Sequence, residues 1–370
     1  MSTEETGVLI IGAGPVGLFL AHRLKQLGID HIIVEKRKTL SEETRSIGIH
    51  PPSLEMLQVM GLAEAFIHAG CRVQRGHAFA RGKTLGTVDF SAMTPPYNFI
   101  LTLSQGLTMR LLATPNIRFG VEEKEWVRDA QGVRLETPGH SYRARWLAAC
   151  EGGQSTTRRQ LEIPRVGGPY PDHYFMGDFV ESTELGNDAG IFLEPDGLVE
   201  SFPLRENQRR WVARCSTDTH ASLDGLVATI ARRTGHELDA TQNTMFRSFG
   251  AERYRAIRNY ADRCFLVGDA AHITSPIGGQ GMNLGWMDAW DLAEVFAGRQ
   301  TPGAYNRSVR RRAKRVIRRA EFNMLLGRPS RMPGLKELLV RGLLNSPVRP
   351  TLARQFTMRG LRFYNPPPPG

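Results

Sequence analysis

Residues 7–11, Gly-Val-Leu-Ile-Ile, form a short apolar run rich in β-branched side chains, the pattern of a strand buried in a parallel sheet. Past a glycine-rich turn, Val16, Leu20, Leu24 and Leu27 recur at helical spacing, and Gly28 ends the helix they predict. His31–Glu35 predicts a second strand, so the chain begins with a β-α-β unit. Residues 53–60 and 61–68 predict a helical region ending near Gly70. Residues 71–103 alternate as strands and turns, broken at Pro95-Pro96, and residues 105–114 predict a short helix stopped by Pro115. Strands are expected over 117–121, Val133–Thr137 and 145–150, the last running into Glu151-Gly152-Gly153. Between residues 173 and 215, segments such as Tyr174-Phe175-Met176 and Trp211-Val212-Ala213 predict a mostly antiparallel sheet. Leu223–Thr234 predicts a helix, residues 264–267 another buried strand, and a further helix begins near Gly281. The proline run 366–369 is expected to be disordered, and the chain shows no internal repeat.

The turn after the first strand reads Gly12-Ala13-Gly14-Pro15-Val16-Gly17, a GxGxxG. Alone this is a weak signal. Here a strand precedes it, a helix follows, and Glu35 closes the second strand 23 residues beyond Gly12. Gly12 permits the tight turn, Gly14 lets backbone approach a pyrophosphate, and Gly17 allows close helix–strand packing. The free N–H groups of the helix N-terminus then face the phosphates, and Glu35 can accept hydrogen bonds from a ribose diol.

A second motif distinguishes flavin from nicotinamide. Cys264-Phe265-Leu266-Val267 runs into Gly268-Asp269-Ala270-Ala271-His272, followed by Pro276-Ile277-Gly278-Gly279-Gln280-Gly281-Met282-Asn283. The Asp269 carboxylate can hold a ribityl chain. The helix opening at Met282-Asn283 can place backbone donors near the flavin N1–C2=O edge, where negative charge develops on reduction. An N-cap role for Asp269 would account for that residue but not for the whole run.

With these motifs in place, the sequence resembles the class A flavoprotein monooxygenases, the p-hydroxybenzoate hydroxylase-like aromatic-ring hydroxylases, and among them the shorter members acting on phenols, quinones and polyketides. The resemblance runs from Val8 to about Tyr364. It implies an α/β fold in which a Rossmann-like FAD-binding domain (residues 1–70, 101–165 and 259–300) is interleaved with a mostly antiparallel substrate domain (71–100 and 166–258). A basic helical tail, 301–370, follows. The resemblance further implies non-covalent FAD held by Gly12, Gly14, Pro15, Val16, Gly17, Glu35 and Lys36. Arg45, within Thr44-Arg45-Ser46-Ile47-Gly48-Ile49-His50, and Gln105, within Leu103-Ser104-Gln105, match flavin-contacting segments of the family. So do Gly268, Asp269, Pro276, Gly278, Gly279, Gly281, Met282 and Asn283. Outside that match, Arg45 reads as a surface ion-pair partner and Gln105 as a solvated helix start. NAD(P)H is expected as a transient reductant and O2 as co-substrate, the reaction passing through a flavin C4a-hydroperoxide to hydroxylate or epoxidise an aromatic, quinone or polyketide-like small molecule. Where the family usually has Cys-Asp-Gly, this chain has Cys150-Glu151-Gly152 followed by Arg158, a segment used for flavin and reductant alike. Met109 stands where the family usually has an acid, and the extra C-terminal domain of the larger phenol hydroxylases is not expected.

No catalytic acid or base stands out. Strand alternation nominates Tyr97, Met176, Asp178, Phe192, Phe202 and Arg214 for the substrate pocket, although each also suits a core or solvated-face position. His50, His77 and His173 receive no role.

Composition narrows the remaining choices. The 370 residues are 41% hydrophobic and 23% charged, ordinary for a globular protein. The formal charge of +11 is a property of the tail, where sixteen Lys or Arg face only Glu321 and Glu337. Residues 1–300 are therefore slightly acidic. Apolar residues interrupt Arg310-Arg311-Arg312, Lys314-Arg315 and Arg318-Arg319, which favours a solvated face packed on the body over a nucleic-acid site. Val316, Ile317, Phe322, Leu325 and Leu326 are expected to make that packing. Cys71, Cys150, Cys215 and Cys264 form no CxxC, so neither a metal site nor a dithiol centre is expected. The apolar stretch 7–21 is broken by glycines and a proline. No membrane span or signal peptide is expected, and the expected location is the cytoplasm. Competing readings are a flavin-dependent reductase or halogenase on the same fold, or a flavin-carrying binding protein with a basic tail. The halogenase pattern Trp-x-Trp-x-Ile-Pro is absent.

Overall fold

The computed structural model describes residues 2–42, 46–122, 126–215, 221–330, 332–361 and 363. Its first strand, Ser2–Ile11, runs five residues beyond the apolar signal. The polar half is strand because it lies in parallel register with His140–Ala149, from Ser2 opposite His140 to Ile11 opposite Ala149. Backbone pairing, not burial, extends it. His31–Glu35 flanks the apolar half on the other side, and Cys264–Leu266 and Ile117–Phe119 add further parallel strands. Val133–Thr137 and Trp126–Arg128 join antiparallel. Helices Pro15–Gln26 and Gly281–Phe296 pack against each other, with Trp286 stacked on Phe19 at 5.0 Å between ring centroids.

A second eight-stranded sheet begins at His272–Ile273 and runs through Met245–Ala256, Arg165–Val180, Gln208–Cys215, Gly197–Leu204, Ala189–Glu194, Arg75–Ala80 and Lys83–Asp89. Every pairing is antiparallel except Ala189–Glu194 with Arg75–Ala80. One face buries Phe175, Phe179, Phe192 and Trp211 under helix Leu223–Thr234. The other carries Tyr174, Met176 and Val212. Two parts of this sheet carry little sequence signal. Met245–Ala256 is largely polar and only partly covered, and the start of Arg165–Val180 contains Gly167-Gly168-Pro169, which reads as turn but pairs in register with Tyr254, Arg253 and Glu252, the register shifting only between Pro169 and His173. A small sheet of Gly48–Ile49, Ile100–Thr102 and Cys71–Val73 stands between the two.

The tail forms helices Pro302–Gly327, Pro333–Leu344 and Arg349–Phe356. Tyr305, Val309, Ala313 and Val316 enter the core of the parallel sheet, while Met324, Val340, Leu344 and Ala353 join a second cluster with Met176, Leu198 and Val212. Val316 is buried as expected, but Phe322 and Leu325 are 47% and 61% exposed. Arg312, one of the basic run, is buried between two carboxylates of helix Gly281–Phe296: Nη1 donates to Asp291 at 2.7 Å and Nη2 to Asp288 at 3.0 Å. Among the described residues no helix is long and apolar enough to cross a membrane.

Candidate functional site

Gly12 turns with φ +102°, and a Cβ there would stand 2.6 Å from the Cys150 carbonyl oxygen, so no other residue fits without moving backbone. At Gly17 a Cβ would meet the Gly12 oxygen at 2.0 Å, which fixes the close approach of helix to turn. Gly17 thus shapes the loop and does not line the cavity above it. Over Gly14, by contrast, no heavy atom lies within 4 Å of a Cβ position, and the loop opens onto free space. Helix Pro15–Gln26 begins there without a side-chain cap, leaving first-turn N–H groups for an anion. Glu35 is buried beneath the loop. Its carboxylate accepts from Ala13 N at 2.8 Å and Arg37 N at 3.0 Å while still bordering the cavity.

Across the cavity, helix Gly281–Phe296 also starts uncapped by a side chain, after the turn at Gly278 and Gly279. Asp269, exposed in the short turn Gly268–Ala270, Pro276 and Met282 line the same wall. Gly268 and Asn283 do not. Asn283 is buried and clamps the loops: its Oδ1 accepts from His50 N at 2.9 Å, and its Nδ2 donates to the carbonyls of Gly48 at 2.8 Å and Gly279 at 3.1 Å. The clamp seats His50 beside Gly278 and Gly279. Burial holds the His50 imidazole down to about 4, so it is neutral at pH 7, and neither ring nitrogen has a well-formed hydrogen bond. Lys36 and Gln105 border the cavity too, Gln105 accepting from Ser46 N at 3.1 Å. Arg45 lies outside the described residues.

Glu151 turns back onto its own segment. The carboxylate reaches over its own segment to accept from the Ser155 hydroxyl and from the N–H groups of Thr156 and Thr157, both at 3.2 Å, so it caps the short helix Thr156–Gln160. Glu151 and Gly152 line the cavity. Arg158 is off it, in a small recess near Tyr254 and His272, where Nη1 donates to the Ile163 carbonyl at 2.9 Å.

The cavity encloses about 1050 Å³ and continues from this glycine-lined end to the inner face of the second sheet. Of the residues nominated for substrate contact, Met176 and Phe202 are on its wall. The other four are not. Phe192 points to the opposite face, stacked on Phe79 at 4.9 Å, while Ile191 and Leu193 face the cavity. Its strand is apolar from Ala189 to Leu193 because both faces are covered, so alternation gives no direction. Asp178 is bound to Arg210 at 2.6 and 2.7 Å, and it is Arg210 that reaches the cavity. Arg214 pairs with Asp172 at 2.9 Å, which Arg328 also holds at 2.6 Å. Tyr97 is core, edge-on to Phe99. His77 borders the cavity but is held by Thr87 and Asp188, each at 2.9 Å; His173 is exposed and away from it.

The tail completes the enclosure. Phe322, Asn323 and Leu326 of its first helix, Leu343 and Leu344 of its second and Leu352 and Phe356 of its third all line the cavity. The exposed Phe322 is therefore open to the site. The sequence carried a usable signal for this in apolar residues recurring through a highly basic segment, but their partners are more than a hundred residues away in the chain. Strand alternation does not single out Glu200. It sits at the position in Gly197–Leu204 that alternates with Leu198 and Phe202 toward the cavity.

Residues 5–320 match the family model described as an FAD binding domain. The chain belongs to this FAD-binding family. The fit is physical as well: open space over Gly14, two uncapped helix N-termini on one cavity and an acid under the first turn suit a bulky anionic dinucleotide. A rifampicin monooxygenase from Streptomyces venezuelae is 30% identical over 305 residues, covering 78% of this chain and 63% of that protein. The chain spans about three fifths of the length of the first curated relatives it matches. Among solved structures, the p-nitrophenol 4-monooxygenase of Pseudomonas putida superposes with a TM-score of 0.89 at 21% identity, covering 98% of this chain and all of that one, a likeness of fold. An anhydrotetracycline hydroxylase from Streptomyces rimosus gives 0.78 at 26% identity, covering 97% and 77%. The FAD-binding domain thus lies in an architecture shared with aromatic hydroxylases.

Proposed function

We propose that this chain is an NAD(P)H- and FAD-dependent monooxygenase that hydroxylates or epoxidises an aromatic, quinone or polyketide-like small molecule. The observation that carries this reading is the continuity of the cavity. One end is glycine and helix N-terminus, the other a chamber walled by Met176, Phe202, Val212 and the apolar side chains of the tail. A flavin held at the first end would share one continuous cavity, as the described residues line it, with an apolar ligand at the second.

Residues 1–70, 101–165 and 259–300 would hold the FAD. Gly12, Gly14 and the start of helix Pro15–Gln26 serve the pyrophosphate, Glu35 and Lys36 the nucleoside end, and Asp269 the ribityl chain. Pro276 to Met282, with Gln105 and Arg45, would border the flavin ring, and Gly17 and Asn283 would hold the two loops in shape. The start of helix Gly281–Phe296 adds partial positive charge where a reduced flavin gathers negative charge. When bound, the flavin supplies the electrons that activate O2 and transfers one oxygen atom. The chain's own work is to orient the substrate and keep water out, and the tail helices do much of the latter. The Glu151-Gly152 turn and the neighbouring Arg158 recess would meet the reductant.

The partner is a small molecule. The basic face of the tail is solvated surface and not a nucleic-acid site, and salt-sensitive DNA binding by the full chain would contradict this. The test of the main reading is NAD(P)H oxidation by the FAD-loaded protein across a panel of phenols, quinones and polyketide aromatics. Substrate-stimulated oxidation is expected for at least one member. Oxidation that no ring compound stimulates would count against it.

A further inference from the structure

The second sheet presents one cross-strand row to the cavity: Ala78, Ile191, Glu200, Val212, Met176 and Arg247, on six adjacent strands. Four of these are apolar. Arg247 is three strands from Glu200, roughly 14 Å at ordinary strand spacing. Glu200 therefore stands as a carboxyl group among apolar neighbours, 7% exposed, on the part of the cavity wall that the second sheet supplies.

The other charged groups in reach are committed elsewhere. Arg210, in the next row, is bound to Asp178 at 2.6 and 2.7 Å. On the other side, Arg214 and Arg328 share Asp172, and His77 is fixed between Thr87 and Asp188. Tyr174 is buried nearby, its hydroxyl kept protonated by burial and by the acids around it. Glu252 and Arg247 lie on the outermost long strand. From the tail helices only apolar side chains and Asn323 face the cavity. Glu200 itself makes no hydrogen bond or ion pair with any described residue. A buried carboxyl left without a partner is costly in a fold, and this one has open cavity in front of it.

We propose that Glu200 recognises the substrate through an aromatic hydroxyl and accepts its proton, which makes phenols and hydroxyquinones the substrate class of the monooxygenase reading on which this rests. In this step the substrate O–H bond breaks and the proton passes to a Glu200 carboxylate oxygen. The electron pair stays on the substrate oxygen and delocalises into the ring, raising electron density at the ortho and para carbons. Those carbons are the ones that accept oxygen, and no electrons leave the substrate in this step. Burial pushes the Glu200 carboxyl up to about 7, which suits a base working near neutral pH on a weakly acidic hydroxyl.

The test compares 2-naphthol and 5-hydroxy-1,4-naphthoquinone with their methyl ethers on the FAD-loaded full chain, with binding read from the flavin absorption spectrum. At least one hydroxyl compound should bind about ten-fold or more tighter than its ether, a preference that Glu200→Ala removes (hydrogen bonds to charged groups,). Glu200→Gln keeps an acceptor but not a base. It should retain most of the preference, lower the hydroxylation rate by roughly a hundred-fold and abolish the rise of that rate with pH near 7. Bound FAD per chain should be unchanged in both variants. Equal binding of hydroxyl compounds and ethers by the unaltered chain, or a Glu200→Gln variant that keeps its rate and its rise with pH, would overturn the proposal. A Glu200-dependent preference without any oxygen transfer would leave the recognition site standing and sink the monooxygenase reading instead.

Discussion

Asp269 and Glu200 are two acids on one cavity, and their surroundings give them different tasks. Asp269 is exposed on the glycine-rich wall, where a ligand hydroxyl can reach its carboxylate. Asp269→Ala should weaken FAD binding by about 1.5–3 kcal/mol, roughly ten- to a hundred-fold, in a fluorescence titration of the apoprotein. Unchanged affinity would contradict its role. Glu200 is buried, and its effect on stability has a definite sign. Its carboxyl ionises at about 7 in the fold against an ordinary 4.5. The unfolded chain therefore loses the proton first, and stability falls as pH rises from 4.5 to 7. Above pH 7 the cost reaches about 3 kcal/mol. Glu200→Gln should stabilise the ligand-free protein by up to that amount at pH 8 and by little at pH 4.5, measured by denaturant unfolding at both values. A pH-independent difference would show that Glu200 is not held neutral by burial.

At the scale of elements, the tail is where sequence reading reached least far. The turn at Gly12 and the strand–turn at Gly268-Asp269 were legible because their demands are local: a positive φ and a close approach are written within a few residues, and the acid Glu35 closes the very next strand. Helix Pro302–Gly327 is basic overall, and its spacing gives no hint that Arg312 is buried while Arg310 and Arg311 beside it are exposed. Its partners, Asp288 and Asp291, lie on a different helix. Nor could spacing place Phe322 or Leu352 on the cavity. The two-sided burial of Ala189–Glu194 hid the direction of Phe192 in the same way. The ion triad yields a sharp contrast. Arg312→Ala should cost about 3–5 kcal/mol, because two buried carboxylates lose their cation. Arg311→Ala, on the exposed face, should stay within about 0.5 kcal/mol. Urea unfolding of the two variants checks this, and equal effects would mean that the tail does not dock as described.

For the whole molecule, the parallel sheet, the second sheet and the tail each supply one wall of a single cavity. The first holds an uncapped helix start and an acid under a glycine turn. The second holds a mostly apolar row with Glu200 in it and Arg247 at one end, and the third closes the chamber with apolar side chains from three helices of a cationic segment. That division of labour suits a reaction in which a flavin and a neutral ring must meet with water excluded. All four cysteines are free. A reductase would use the same flavin cradle but would not need oxygen. The most direct measurement is therefore turnover of an accepted phenol or hydroxyquinone under 18O2, with the product analysed by mass. One heavy atom per product molecule is the predicted result. Turnover that proceeds equally well without oxygen, or a product that carries no label once exchange with water is ruled out, would contradict the account.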